Sequence, residues 1–437
     1  MTLLLQVTAS LALIVGAAQV CGRLAPRIGQ PAVVGEMVAG VLLGPSLLTR
    51  FVPGVPEHVF TPSCRSALYV IAMIGLSLYM FLVGAEHEPA PMNRRTTLLP
   101  PALAAGGLVA PIVLGGAVAL TLLNDERPSD VSPLLFAVFV GGALSVTAFP
   151  MLARVLQERR MVHTTFGLLA SRTAAIDDAA AWCVLALLGA LRLRGGAEVA
   201  ILQTILPAAL LVVACKFGLP KLFRSAMQRA VDNADLSDGL LASLLCLVLI
   251  VGFVTDYIGI YSVFGGFICG VFLPHVAGFQ RLLHARIAQL VRVLLLPVFF
   301  AYSGLNTDVS NALEPTYLII FGVLLVVAII AKGAPGLLIM RAFGYSWGES
   351  KAMAGLMNAR GLMILIFINL GFSMGLVDKA LFATLVLIAI ATTALALPIY
   401  RSHYSAEAEE EARRDWGAPT HGPELVKSTP FPAESVR

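Results

Sequence analysis

Apolar runs of about 20 residues recur along almost the whole chain, separated by short clusters of charge, proline and glycine, which is the pattern of helices that each cross a bilayer. They are centred roughly on residues 3–22, 30–48, 66–85, 98–123, 133–153, 164–190, 199–217, 237–256, 259–274, 288–305, 316–340, 350–372 and 379–400. The pattern predicts an all-α polytopic membrane protein with about 13 transmembrane helices over roughly residues 1–400, then a polar cytoplasmic tail at about 401–437. The first cation is Arg23, so Met1 to Gly22 lacks the basic start of a secretory signal and reads as a retained first span.

Six spans precede a linking seventh and six follow it, with the longest basic connection running from Lys216 to Asp235. Taking about 3–190 as one repeat, about 199–217 as a linker helix and about 237–400 as the second repeat, the offset of seven crossings inverts one repeat relative to the other. In such folds the substrate site forms where interrupted helices of the two repeats meet. Matched positions carry such interruptions. Residues 141–150 read Gly-Gly-Ala-Leu-Ser-Val-Thr-Ala-Phe-Pro, and Pro150 has no N–H to offer the carbonyl of Val146. Ser145 and Thr147 add hydroxyls there. Residues 355–361 read Gly-Leu-Met-Asn-Ala-Arg-Gly, placing Asn358 and Arg360 inside an apolar run. Broken backbone at membrane depth is tolerated only where it is buried in protein or lines a cavity.

Composition agrees with the membrane reading: 58% of the 437 residues are hydrophobic and 13% charged, against about 25% charged in soluble proteins. Basic residues divide unevenly between alternate connections. One set, including Arg94, Arg95, Arg159, Arg160, Lys221 and Arg224, holds about 15, and the other, including Arg50, Arg65 and Arg194, about 6. This bias puts the N-terminus outside and the C-terminus in the cytoplasm. It also accounts for the net charge of +4, so no nucleic-acid partner is called for. Among the six cysteines only Cys64 falls in an outer connection, which excludes a disulfide framework.

The chemistry centres on Asp177 and Asp178, side by side in the sixth span. The next charge, Arg192, is about 14 residues on, or about 21 Å of helix, so both carboxylates sit near the bilayer midplane. Intramembrane acids cost about 2.5–3.5 kcal/mol or more to insert and mark ion or proton pathways. Lys332 lies in span eleven, about 9 residues and 13 Å of helix from Arg341, too deep for its stem to reach an interface. An ammonium there needs a carboxylate, and either Asp177 or Asp178 fits. Neighbours on a helix point about 100° apart, so one acid can face Lys332 and the other a cation cavity. A carboxylate that takes a proton or a hard monovalent cation, but not both, is a competitive exchange site, and oxygen ligands suit such a cation. Glu36 and Arg360 read as support for the half-helix ends, and Arg172 as a wall of the inner funnel. Glu86, His87, Glu88 and His163 read as solvated boundary residues, as does the acidic run Glu409 to Glu411 in the tail.

These residues resemble the monovalent cation:proton antiporter superfamily, in its second branch. Residues 174–182, Ala-Ala-Ile-Asp-Asp-Ala-Ala-Ala-Trp, look like its ion-binding helix, and residues 30–46 like its second span. Residues 81–84, 143–154, 264–267, 296–300 and 358–363 match in the family's order, most like plant cation/proton exchangers and their bacterial relatives. The resemblance covers roughly residues 5–400. It implies Asp178 as principal carrier of Na+ or K+ and H+, Asp177 as its coupled neighbour, Thr147 close to the ion and Lys332 as the salt-bridge partner. The double aspartate is associated with electrogenic exchange. Plant relatives tend to carry a glutamate where this chain has Ile364, so no role passes to that position.

The expectation is therefore a secondary antiporter exchanging a monovalent cation, sodium first and potassium as the alternative, for protons by alternating access. It needs no cofactor, works as a homodimer and sits in a bacterial inner membrane. A passive channel would not need a buried Lys332 or a titrating pair. An intramembrane aspartyl protease would need acids converging from separate helices, whereas Asp177 and Asp178 point apart.

Overall fold

The computed structural model describes residues 2–44, 59–85, 94–162, 164–193, 201–259, 261–305 and 314–417. Arg50, Glu86, His87, Glu88, His163, Arg194 and the tail from 418 onward lie outside the described residues. The described chain is helical: α1 Leu3–Leu24, α2 Ala32–Leu42, α3 Pro62–Ala85, α4 Arg94–Thr121, α5 Pro133–Ser145, α6 Phe149–Glu158, α7 Thr165–Leu193, α8 Leu206–Asp232, α9 Asp238–Ile258 and α10 Ser262–Val271. A bent pair follows, α11 Phe279–Ala288 and α12 Val291–Leu305, at 42° to each other. The chain then forms α13 Pro315–Ala342, α14 Trp347–Leu356, α15 Gly361–Ser373, α16 Lys379–His403 and α17 Ala406–Gly417.

A bilayer offers no water to backbone groups, so apolar runs of this length close their hydrogen bonds as helices. Their starts are marked locally. Ser132 caps α5, Ser237 caps α9 and Asp378 caps α16, each side chain accepting from a backbone N–H three residues on. Ser346 and Glu349 form a reciprocal capping box ahead of α14. Among the described residues eight helices are long and apolar enough to cross a membrane, or nine with the bent pair as one. The remaining expected spans fall on shorter apolar helices, such as Ala32–Leu42 and Ser262–Val271, so helix length does not by itself give the count of 13.

The helix packing repeats. α2 lies on α12 as α10 lies on α3; α4 packs on α5 as α13 packs on α14; α1 on α2 corresponds to α9 on α10. Each correspondence shifts by the seven spans anticipated from hydropathy, and α4 against α13 maps onto itself. Small residues allow the closest approaches: a Cβ at Gly304 would overlap the backbone of Gly40, and one at Gly266 or Gly270 that of α3. Without a hydrophobic force between helices in lipid, such close backbone contact supplies packing energy.

One expectation about polar segments is corrected, and one helix runs further than its apolar stretch: α8 continues to Asp232, with Lys221 and Arg224 exposed on it. The start of the tail is not simply solvated. α17 folds back and buries Glu409, 2% exposed, which accepts from Arg159 Nε at 2.9 Å and from Tyr400 Oη at 2.9 Å. An isolated acid is solvated by default, but a docked helix with two donors waiting compensates its burial.

Candidate functional site

The site is built on two interrupted helices that complete each other's hydrogen bonds. α5 stops at Ser145, Val146 turns to extended geometry, and α6 restarts at Phe149. The break comes ahead of Pro150, which stands in the first turn of α6, where a missing N–H costs nothing; it starts the second half-helix and does not kink a continuous one. Opposite lies the gap between α14 and α15. Ala148 N donates to Ala359 O at 2.9 Å, and Thr147 Oγ1 donates to Met357 O at 2.9 Å. Gly361 N donates to Thr393 Oγ1 at 2.9 Å. The restart of α15 needs glycine: Gly361 has φ +48°, and a Cβ there would press on Met151.

Diverting these donors leaves specific carbonyls open. In a continuous helix Leu144 O would accept from Ala148 N and Ser145 O from Phe149 N. Instead Arg360 Nη1 donates to Leu144 O, and its Nη2 to Ala328 O of α13 at 2.7 Å. Lys332 Nζ donates to Ser145 O. Two cations thus close the negative end of α5, while Phe149 N, at the positive end of α6, points at Asp178 Oδ2 at 3.3 Å. Half-helix ends carry partial charges that favour this arrangement.

Asp177 and Asp178 lie on α7, 2% and 0% exposed, and Lys332 on α13 is 1% exposed. Of the two acids left open as partners, Lys332 pairs with Asp177, Nζ to Oδ2 at 2.6 Å. Its third donor goes to Gly107 O of α4 at 3.0 Å, so the ammonium is fully used. The remaining oxygens, Asp177 Oδ1 and Asp178 Oδ1, are buried without a hydrogen-bond partner, as is Asn358 Oδ1. Asn358 Nδ2 bonds back to Ala354 O at 2.9 Å. The Ser145 hydroxyl donates to Gly142 O at 2.7 Å, so this residue meets Lys332 through its backbone. The Glu36 side chain lies against Gly22 of α1. Arg172 is half-buried on α7.

Gly107 is the participant that the sequence reading missed, although a signal was there. Pro111 lies four residues on within α4 and has no N–H to give it, so the Gly107 carbonyl is freed inside the bundle. A Cβ at Gly107 would stand 3.1 Å from Lys332 Nζ, so glycine also makes room for the ammonium. At its far end α7 is held by Arg192, whose Nε donates to Met374 O at 3.1 Å and whose guanidinium pairs with Asp130. That hydrogen bond holds the exposed Asp130 carboxyl below the usual carboxylate range.

Paired acids and a lysine, sealed where two broken helices cross inside an apolar bundle, define an ion-coupled secondary transporter. A sequence profile described as "Sodium/hydrogen exchanger, transmembrane" matches residues 10–400, and the chain belongs to this family. It is 34% identical over 411 residues to the Na(+)/H(+) antiporter NhaS4 of Synechocystis, covering 93% of this chain and 98% of that one. It is 33% identical over 375 residues to cation/H(+) antiporter 18 of Arabidopsis thaliana, covering 86% of this chain but only 46% of the plant protein. The chain therefore spans less than half the length of that relative. The fold also matches the sodium proton antiporter MjNhaP1 of Methanocaldococcus jannaschii at pH 8, with a TM-score of 0.64 and 16% identity, over 95% of this chain and 100% of that one.

Proposed function

We propose that this cation/proton antiporter exchanges a monovalent cation, sodium before potassium, for protons by alternating access, with Asp178 as the principal carrier. The observation that carries this is the pair of bare buried oxygens, Asp177 Oδ1 and Asp178 Oδ1. A dry carboxylate oxygen without a donor is costly, and a proton or a dehydrated hard cation relieves it. The two compete for one place, which couples their movements in opposite directions. Asp177 is already compensated by Lys332, whereas Asp178 has a single longer bond from Phe149 N. Asp178 is thus the freer of the two to change partner, with Val146 and Thr147 in the break, the latter next to Asp177. When the cation arrives, the Lys332–Asp177 pair opens and the lysine gives up a proton, which makes the exchange electrogenic. The cation is cargo, and no cofactor enters the cycle.

The uneven distribution of basic residues supports an outer N-terminus and a cytoplasmic C-terminus, the membrane being a bacterial inner one, and the seven-span offset in the packing supports inverted repeats. The protein works as a homodimer whose scaffold, α1–α3 and α8–α12, holds still while α4–α7 and α13–α16 move. The test is reconstitution into liposomes under an imposed pH gradient, adding sodium, potassium and lithium in turn. Proton release driven by one cation, without uncoupled conductance, is the expected result. Conductance without coupling would make the protein a channel and end the antiport reading.

A further inference from the structure

A second polar feature lies buried away from the acids. Asn369 on α15 is 8% exposed and Ser303 on α12 is 2%. Asn369 Nδ2 donates to Ser303 Oγ at 2.8 Å and to Leu365 O at 2.8 Å. With both N–H bonds used, the amide orientation is set, and what the side chain still offers is an acceptor, Oδ1. Asn369 lines a cavity of about 170 Å³ with Tyr69, Phe299, Tyr302 and Ser373 among its walls. Ser373 spends its hydroxyl proton on Leu370 O at 2.8 Å and is also hydrogen-bonded with Tyr261, so the acceptor on offer is Asn369 Oδ1. Among the described residues no lysine, arginine or histidine lines the cavity. A fixed oxygen and aromatic faces without a positive charge are complementary to a hard cation, and the volume holds a few waters around it.

The cavity shares a wall residue with a void nearer the acids. Ile366 belongs to its wall and also to a much smaller void of about 10 Å³ formed with Ala181, Trp182, Met363 and Phe367. Ala181 and Trp182 stand one helical turn along α7 from Asp178. On the other side, an adjoining cavity of about 170 Å³ shares Tyr69 and Met73 and carries the exposed Asp256. A carboxylate, a cavity with a fixed acceptor, an apolar neck and Asp178 thus follow one another.

We infer that the Asn369 cavity is a waiting site in which the transported cation, partly stripped of water, rests on Asn369 Oδ1 before it passes the apolar neck to Asp178. The inference rests on the antiport reading and adds to it a ligand that acts from one membrane face only, the outer one in the orientation proposed above. Asn369 also ties α15 to α12, so the same residue releases the ion when the two helices part.

The test compares wild type, Asn369→Leu, Asn369→Asp and Ser303→Ala in oriented proteoliposomes, measuring the KM for sodium, then potassium, from each face. Losing a hydrogen-bonding partner of a charged group corresponds to about a tenfold effect. Asn369→Leu should raise the outer-face KM by about that factor, with the inner-face KM and the pH midpoint of exchange unchanged. Asn369→Asp, which keeps an oxygen and adds charge, should lower the outer-face KM. Ser303→Ala, which frees the amide to turn, should raise it by less, and carries the same face-specific expectation should Asn369→Leu fail to fold. Equal changes at both faces would make Asn369 structural and overturn the inference, as would an unchanged outer-face KM. Wild type that exchanges no cation defeats the antiport reading itself, whereas active wild type with normal kinetics in the variants defeats only the waiting site.

Discussion

Asp177 and Asp178 are chemically identical neighbours with different surroundings, and the difference predicts different variants. Asp178→Asn keeps the side-chain volume and removes the exchangeable charge, so cation-driven proton release in liposomes should fall to background while the protein melts normally in detergent. Lys332→Gln strands a buried carboxylate, and loss of one partner of a buried pair costs about 3–5 kcal/mol. Its melting temperature should drop, and currents on a solid-supported membrane should shrink as exchange tends to electroneutrality. Asp177→Asn strands the ammonium with a cost of the same order. The double variant should recover part of the stability lost by either single change, because neither member of the pair is then left charged without the other. Additive losses would show that Lys332 and Asp177 do not act as a pair.

At the scale of elements, the break before α15 and the docked helix α17 each depend on one replaceable feature. Gly361 holds a left-handed φ with Met151 packed over it, so Gly361→Ala should destabilise by about 1–3 kcal/mol. The displacement would also move Ala359 and Met357, which bond the opposite break, so exchange should weaken together with stability. Normal melting and normal exchange in Gly361→Ala would show that α15 can restart without the strained turn. α17 is held by Glu409, which joins Arg159 at the end of α6 to Tyr400 of α16, and by Arg413 Nη1 donating to Arg159 O at 3.1 Å. Glu409→Ala leaves these donors unmatched, a loss of about 1–3 kcal/mol. Hydrogen exchange followed by mass spectrometry should then show faster exchange confined to α17 and the end of α6.

For the whole molecule, the proposed cycle moves a core of α4–α7 and α13–α16, which carries both breaks and the charged site, against a scaffold of the remaining helices. A cycle that moves one against the other must part contacts such as those of α12 with α15. Cysteines at Tyr302 and Phe372, both lining the cavity between these helices, joined by a short bifunctional maleimide, should stop exchange while leaving the melting temperature at or above that of the free protein. Full transport in the cross-linked protein would exclude relative movement of core and scaffold.

Hydropathy by itself determined that the chain is helical, that it lives in a bilayer and roughly where the spans lie, because an apolar medium accepts backbone only when its hydrogen bonds close locally. It also pointed to Asp177, Asp178 and Lys332, since charge in an apolar run is too costly to be incidental. The partner of Lys332 was decided only by the tertiary structure. Adjacent helical positions diverge by about 100°, and the rotation of α7 against α13 that gives Asp177 the lysine is a packing outcome. Most backbone participants were equally hidden, because a carbonyl such as that of Ser145 has no residue type and its freedom depends on where a donor goes; Gly107, freed by Pro111 four residues on, is the exception. The same holds for Glu409, which solvent or a docked helix could satisfy. Local sequence determines which polar groups exist, and the fold decides which of them meet.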